Sequence, residues 1–469
     1  MKVLLINPLA QYTIVGNNPS IIEEERGYNP PLGLLYLASS TLRNTSHQIE
    51  VIDAQVEELT YEELRERIAN QKPDVVGITA MTLTLVDVLK TARLVKEISK
   101  RIRVVLGGPQ VNIYPEETIR HEEVDFLVLG EGELTFSLLL DNLENIRKLK
   151  EIKGILFKHE GEIVATGNPE FISELDSLPF PLRTLTPYWR YTSLLAKRSP
   201  ITTMITSRGC PYKCVFCDRP HLGRKFRARS AENVVDEIEE CVNMGIKEIL
   251  IYDDTFTVSR RRVIDICDEI ISRKLDIVWD VRARVDNVDR EMLRKMRQAG
   301  CERIHYGVEA GTEKILKVLK KGITLEDAKR AFRTTKEVGM STLAYFMIGS
   351  PEEKREEILK TLEFARELNP DFVHITITTP FPGTELYRMG LKKGIIRDFW
   401  REFSKDPDPD FPVQYWEEYL SGEELQKLLR YAYKSFYLRP RYILKEMLTI
   451  RSLDEFGRKV KAGLKVVGL

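Results

Sequence analysis

Cysteine, histidine and tryptophan are scarce in this chain of 469 residues, with six, six and four copies. So few cysteines in so long a chain do not make a disulfide framework, which belongs to short secreted domains, and they suit metal ligation or plain packing in a reducing compartment. An excess charge of either sign is also missing. The 71 Lys and Arg balance 71 Asp and Glu, so no global field draws in nucleic acid or steers an acidic ligand. No run of 18 apolar residues occurs, which predicts that nothing spans a membrane. The start MKVLLINPLA has one lysine, runs into Pro8 and lacks a small-residue cleavage site, so it reads as a first strand and predicts a cytoplasmic protein. The fingerprints GxGxxG and GxxxxGK[ST] are absent, which argues against a dinucleotide or nucleoside triphosphate.

What is present is ordinary globular material, 43% apolar and 30% charged, at a length that suggests about three domains. Over residues 1–145, buried-type strands (KVLLINP, QIEVIDA, VVGITA, RVVLGGP, DFLVLGEGE) alternate with amphipathic stretches such as Tyr61 to Asn70. That pattern predicts a doubly wound, parallel α/β sheet of Rossmann-like type. Residues 146–200, with a short hairpin-like piece and Pro179, Pro181 and Pro187, read as a linker. From Ile201 to about residue 385, six βα units with strands near 201–207, 247–253, 277–283, 303–309, 342–348 and 371–378 predict a partial (β/α)6 barrel resembling a TIM barrel. Its sites belong at the carboxyl ends of the strands. Residues 386–469 form a charged, aromatic, helical tail.

Three of the six cysteines fall within eight positions, in SRGCPYKCVFCDR. Cys210, Cys214 and Cys217 follow a strand on one loop, and three thiolates there can hold three corners of a cubane cluster, leaving a fourth iron open to a chelating ligand. A zinc knuckle short of one ligand, or buried structural cysteines, are the competing readings. Cys241, Cys267 and Cys301 lie among apolar or helix-forming neighbours and predict core packing.

The segment CPYKCVFC, with Phe216 before its last cysteine, resembles the CxxxCxxC signature of radical S-adenosylmethionine enzymes over about 180 residues. The resemblance implies a 4Fe-4S cluster on Cys210, Cys214 and Cys217. S-adenosylmethionine would chelate its open iron and be cleaved to a 5′-deoxyadenosyl radical, with electrons from a ferredoxin- or flavodoxin-type donor. It also implies S-adenosylmethionine contacts at Phe216, at Asp253 or Asp254 after the second strand, at Arg284 after the third, at Glu309 after the fourth and at Gly349 in FMIGSPEE. Alternation places His305 and Gly307 on the inward face with Glu309, and His374, Thr376 and Thr378 inward on the sixth strand. His305, His374 and Tyr345 are the candidate substrate-facing groups, each as easily read as a satisfied structural hydrogen bond.

The amino-terminal turns GITAMTLT, GGPQVN and GEGE resemble the cobalamin-binding domain that precedes the barrel in one large class of these enzymes. The resemblance implies cobalamin contacts at Thr79, Thr82, Thr84, Gly107, Gly108, Gln110, Glu131 and Gly132. No histidine follows an Asp by two residues, so the cobalt is expected to lack a protein imidazole. A degenerate domain without cofactor is the alternative. From Glu424 to Leu469, eleven Lys or Arg stand against four Asp or Glu amid aromatic residues. This predicts either peripheral contact with an anionic membrane or a helix capping the barrel. The implied reaction is methylation of an unactivated carbon from methylcobalamin on a small-molecule or lipid substrate. Radical cyclisation on a lipid or tetrapyrrole is the alternative, and a non-catalytic cobalamin or iron-sulfur sensor the third reading. Nucleic acid is not an expected partner.

Overall fold

A computed structural model of the protein describes residues 1–14, 27–218 and 223–448. Its amino-terminal part is a seven-stranded sheet of β1 (Lys2–Asn7), β2 (Gln48–Asp53), β3 (Val75–Thr79), β4 (Arg103–Gly107), β5 (Phe126–Val128), β6 (Ile155–His159) and β7 (Glu162–Ala165), in the order 2-1-3-4-5-6-7. The first five strands are parallel, and β6 and β7 are antiparallel additions. Val3 to Ile6 are all buried, as continuous apolar strands must be when helices cover both faces. The strand order reverses between β1 and β3, where a doubly wound sheet opens a ligand crevice at its carboxyl edge.

The hairpin assigned to a 146–200 linker belongs instead to this sheet. Phe157 on β6 sits opposite Phe126 on β5, with ring centroids 5.9 Å apart. That apolar pairing carries the domain through Ala165, beyond the expected boundary at 145.

The second part contains β8 (Ile201–Met204), β9 (Ser207–Arg208), β10 (Arg227–Ala228), β11 (Glu248–Ile251), β12 (Val278–Ala283), β13 (Cys301–Glu309), β14 (Ser341–Ile348) and β15 (Phe372–Ile377). Strands β8 and β11 to β15 form one parallel six-stranded sheet in chain order, and β9 pairs with β10 separately. The intervening helices start at side-chain caps: Ser230, Ser259, Asp289 and Thr324 each accept from the backbone N–H three residues on. Trp279, Val281, Ile304, Tyr306 and Phe346 pack in the core beneath these helices. By the two-residue period of the strands, Asp280, Arg282, Arg303 and His305 line the inner side.

Residues 386–469 are not an independent domain over their described part, because the chain there straps the two units together. Tyr387, Phe399, Trp400 and Phe403 belong to the core of the amino-terminal sheet, whereas Trp416, Leu425, Leu429 and Phe436 belong to the barrel core. The helix Gly422–Tyr437 starts at a Ser421–Glu424 capping box and covers the free edge of β15. The Tyr433 hydroxyl accepts from the Ile375 N–H and donates to the Ile375 carbonyl, both at 3.0 Å, and Tyr437 does the same at Val373, at 3.0 and 2.9 Å. Two phenols thus satisfy backbone groups that would otherwise invite another strand. The apolar side of this helix is spent on the barrel. Residues 449–469, the rest of the segment expected to contact membrane, lie outside the described residues. No helix among the described residues is long and apolar enough to cross a membrane.

Candidate functional site at the facing strand ends

The loop carrying the three cysteines is closed at its base by β9 and β10. Asp253, at the end of β11, accepts from the backbone N–H of Thr206 (2.5 Å) and Ser207 (3.1 Å) and from both hydroxyls at 2.6 Å. All of its acceptor capacity goes into fixing the start of the loop, and Asp254 sits half-exposed beside it. The middle of the loop is held on both sides of the buried Val215, whose N–H donates to Leu319 O (3.1 Å) and whose carbonyl accepts from Leu386 N (2.8 Å). Cys210 is buried and Cys214 and Cys217 are partly exposed, none of the three in a disulfide.

Two cations act on this loop. Burial pushes the Cys214 thiol up, and Lys321 and Arg284 offset only part of that rise. Lys321, which no motif singles out, donates to Glu309 at 2.7 Å and lies 5.9 Å from the centroid of the half-buried Phe216 ring. Glu309 sits at φ 73° where the β13–β14 register slips. The bare Cα of Gly307 admits the pair, because a Cβ there would meet Glu309 Oε1 at 2.6 Å and Lys321 Nζ at 2.7 Å. Arg284 grips Asp286 through two 2.9 Å hydrogen bonds, lies 3.8 Å over the Tyr212 ring, and keeps Nη1 buried without a partner among the described residues.

Among the described residues no three His, Cys, Asp or Glu side chains gather as a single metal ion would require. A cubane places each thiolate on a different iron, so three thiols on one clamped loop beside two cations fit an anionic iron-sulfur cluster. The other cysteines are unlike these. Burial pushes the thiols of Cys241 and Cys267 up to about 12, and that of Cys301 well above its ordinary value, as inert core residues require.

Below the loop, inside the barrel, His305 lies 3.1 Å from the Tyr345 hydroxyl through Nδ1 and 3.3 Å from Asp280 through Nε2. Burial lowers the His305 imidazole below its ordinary range, against the pull of Asp280. Burial alone would raise the Asp280 carboxyl, but His305, Arg303 and Arg282 overcome it and hold it low. His374 meets the Tyr345 ring edge-on at 5.6 Å. The three candidate substrate-facing groups therefore form one contiguous chain. Gly349, by contrast, is bare for packing: at φ 76° a Cβ would meet Leu425 at 2.8 Å, so its side-chain position belongs to the covering helix.

On the amino-terminal sheet, the turn after β4 presses on the segment after β3. Ala80 N–H donates to Gly107 O at 2.6 Å, and at Gly108 (φ 110°) a Cβ would stand 2.8 Å from Ala80 O. Only glycine adopts that conformation at so close an approach. Gly107 has open space above it, with nothing nearer to a Cβ than Val128 O at 3.8 Å. Thr79 and Thr84 are half-exposed, Thr82 is buried in a short 3-10 turn, and Met81 among them is 46% exposed. Asn112, unremarked in the sequence, ties the glycine turns together by donating to Gly108 O (2.9 Å) and accepting from Gly130 N–H (2.7 Å). This edge offers backbone, hydroxyls and an apolar Met to a flat, bulky ligand, which fits a corrin with its nucleotide tail.

Three of the expected cobalamin contacts have partners within the protein. Gln110 is fully buried and donates to Thr118 and Ser404 hydroxyls at 3.1 Å each, so it faces the strap. Gly132 packs against Leu37, where a Cβ would approach to 3.0 Å. Glu131 accepts two 2.8 Å bonds from Arg227, a 2.7 Å bond from Ile172 N–H, and lies 3.2 Å from Arg208. Burial would raise its carboxyl, and these partners hold it low instead.

That last contact fixes how the two units meet, because Arg208 stands two residues before Cys210. Tyr191 also donates to Asp53 at the end of β2 (2.8 Å), and Tyr252 after β11 donates to Asn29 (3.4 Å). The carboxyl edges of both sheets therefore face each other. His47, His121 and His159 all lie at the opposite edge of the amino-terminal sheet, before β2, before β5 and at the far end of the antiparallel β6.

Residues 20–140 match the B12 binding domain and residues 204–365 the radical SAM superfamily. The chain is 37% identical to an uncharacterized methyltransferase of Pyrococcus horikoshii, PH0819, over 95% of both chains. It belongs to the cobalamin-binding branch of the radical SAM superfamily. It is also 31% identical to the anaerobic magnesium-protoporphyrin IX monomethyl ester cyclase of Rubrivivax gelatinosus, over 85% of this chain and 72% of that relative. The fold is shared with OxsB, a cobalamin-dependent S-adenosylmethionine radical enzyme, at a TM-score of 0.75 and 20% identity, covering 99% of this chain and 72% of that one. It is shared with the radical S-adenosylmethionine methyltransferase TsrM of Kitasatospora setae at 0.69 and 21%, covering 84% and 79%. The cofactors of this radical SAM enzyme are a 4Fe-4S cluster, S-adenosylmethionine and cobalamin.

Proposed function

We propose that this enzyme methylates an unactivated carbon of a small-molecule or lipid substrate bound between the two facing edges. The observation that carries the reading is the contact of Glu131, on the cobalamin-domain turn, with Arg208, two residues from the first cluster cysteine. Methyl transfer between two cofactors requires one shared cavity, and this contact supports that reading by bringing the cobalamin-domain turn beside the cysteine loop. When bound, the cluster with S-adenosylmethionine supplies a hydrogen-abstracting radical and the cobalamin supplies the methyl group. The chain's own contribution is placement: Asp253 and Val215 hold the cysteine loop, the Glu309–Lys321 pair and Arg284 flank it, and the ordered turns of Gly108 and Gly130 present backbone to the second cofactor. The cobalt is bound without a protein imidazole, supported by the placement of His47, His121 and His159 away from that edge. An external ferredoxin- or flavodoxin-type protein supplies the electron.

The match to a methyltransferase over 95% of both chains favours methyl transfer. The 31% identity to a ring-forming cyclase favours carbon-carbon bond formation as the second reading. Anaerobic incubation of the reconstituted enzyme with S-adenosylmethionine and reductant, read by mass spectrometry, separates them. Methyl transfer predicts S-adenosylhomocysteine together with 5′-deoxyadenosine, and 5′-deoxyadenosine alone would favour cyclisation.

A further inference from the structure

Among the described residues, the cations lining the barrel each meet a carboxylate, Arg282 at the longest range. Arg284 is held by Asp286, Lys321 by Glu309, and Arg303 lies 3.2 Å from Asp280, which also meets His305 at 3.3 Å. Arg282 stands among them with Asp280 as its nearest carboxylate, 4.0 Å away and taken at closer range by the other two. Its Nη1 donates to Ile251 O at 2.9 Å, and its guanidinium lies 3.6 Å over the centroid of the Tyr252 ring. Nε and Nη2 have no hydrogen-bond partner among the described residues. The side chain keeps 26% exposure between the buried Val281 and Ala283.

A guanidinium whose one carboxylate stands 4.0 Å off and is shared with two closer partners keeps charge and donors to offer an anion. Its planar fork suits two oxygens of a carboxylate or phosphate, and stacking on Tyr252 fixes the plane in advance. The position is distinct from the cluster loop. Arg284, one pleat nearer the cysteines, is the arginine whose charge acts on Cys214, whereas Arg282, the penultimate residue of β12, lies in register with His305.

We propose that Arg282 anchors a carboxylate or phosphate of the substrate, with Tyr252 and the His305-bound Tyr345 as the adjoining walls. The substrate class is then an acid whose reacting carbon lies between this anchor and the cysteine loop. This assignment rests on the reading of the barrel as the reaction chamber.

The test is equilibrium binding to cluster-loaded, cobalamin-loaded enzyme of three probes that share a ring: 3-phenylpropionate, phenyl phosphate and 3-phenylpropan-1-ol. At least one acid is expected to bind about tenfold more tightly than the alcohol, and the better acid identifies the head group. Arg282→Met should erase the difference, Arg282→Lys should keep part of it, and Arg261→Gln on the exposed helix surface should leave it unchanged. Equal binding of acid and alcohol, no acid-selective binding at all, or a preference that survives Arg282→Met overturns the proposal. Iron content and cluster absorbance of each variant are read alongside. A wild-type chain that takes up no cluster would sink the underlying reading instead, so the two failures are distinguishable.

Discussion

The two facing edges are built differently. The barrel side uses charged side chains in short-range pairs, Glu309 with Lys321 and Arg284 with Asp286, set around three thiols. The sheet side uses turns and hydroxyls, and its charged or amide candidates, Glu131 and Gln110, are spent on holding the chain together. The difference follows from what each edge must hold. A small anionic cluster with a zwitterionic ligand is fixed by point charges, whereas a broad macrocycle is fixed by shape and by backbone groups that approach closely.

Glu131→Ala breaks the comparison most severely if it is wrong. Removing the carboxylate leaves Arg208 and Arg227 buried without it, at an expected cost of about 3–5 kcal/mol in chemical unfolding. Cobalamin affinity of the fraction that remains folded should be nearly unchanged. A cofactor ligand would show the opposite pattern, with weak binding and intact stability.

Gly108→Ala should be next. The strain of a side chain at φ 110° against Ala80 is worth about 1–3 kcal/mol, and here cobalamin retention on gel filtration should fall with stability, since the turn itself forms the edge. Gln110→Met removes two buried hydrogen bonds at a cost of about 1–2 kcal/mol, with cobalamin affinity kept. A large loss of cobalamin from this variant would return Gln110 to the cofactor.

The smallest effect concerns pH. Glu353, buried after β14 and accepting from Ser350 N–H at 2.8 Å, has its carboxyl pushed by burial from 4.5 up to about 7. The folded state thus holds the proton more tightly than the unfolded chain. Its contribution is full below about 4.5 and is lost as pH rises through about 7. Denaturation midpoints measured across that window should fall with pH more steeply in wild type than in Glu353→Gln.

Much of this was legible from the chain. The parallel strands of both sheets could be read, because buried parallel strands are continuous apolar runs, and CPYKCVFC located the loop, whereas the antiparallel β6 and β7 passed for a linker. Inward positions such as His305 and His374 were read from the two-residue period. What pattern does not contain is the partner. A carboxylate at a strand end suits a cofactor or an arginine equally well, and Glu131 takes arginines 77 and 96 residues away. Asp253 looked like a ligand and is a clamp because Thr206 and Ser207 lie within reach only once β8 and β11 pair. The tail's aromatics suggested a membrane face, yet Tyr433 and Tyr437, one helical turn apart, meet alternate residues of β15. Lys321 lay unnoticed in a lysine-rich turn, its only signal being the bare Gly307 across from it.

The central claim is that one chain carries a cluster and a cobalamin on separate, facing supports. Iron, sulfide and cobalt counted after anaerobic reconstitution of wild type and Cys214→Ala test it most directly. The account predicts about four irons and one cobalt per wild-type chain, and a variant that loses the iron and sulfide while keeping its cobalt. A variant that keeps its cluster, or loses cobalt and iron together while still folded, would contradict it.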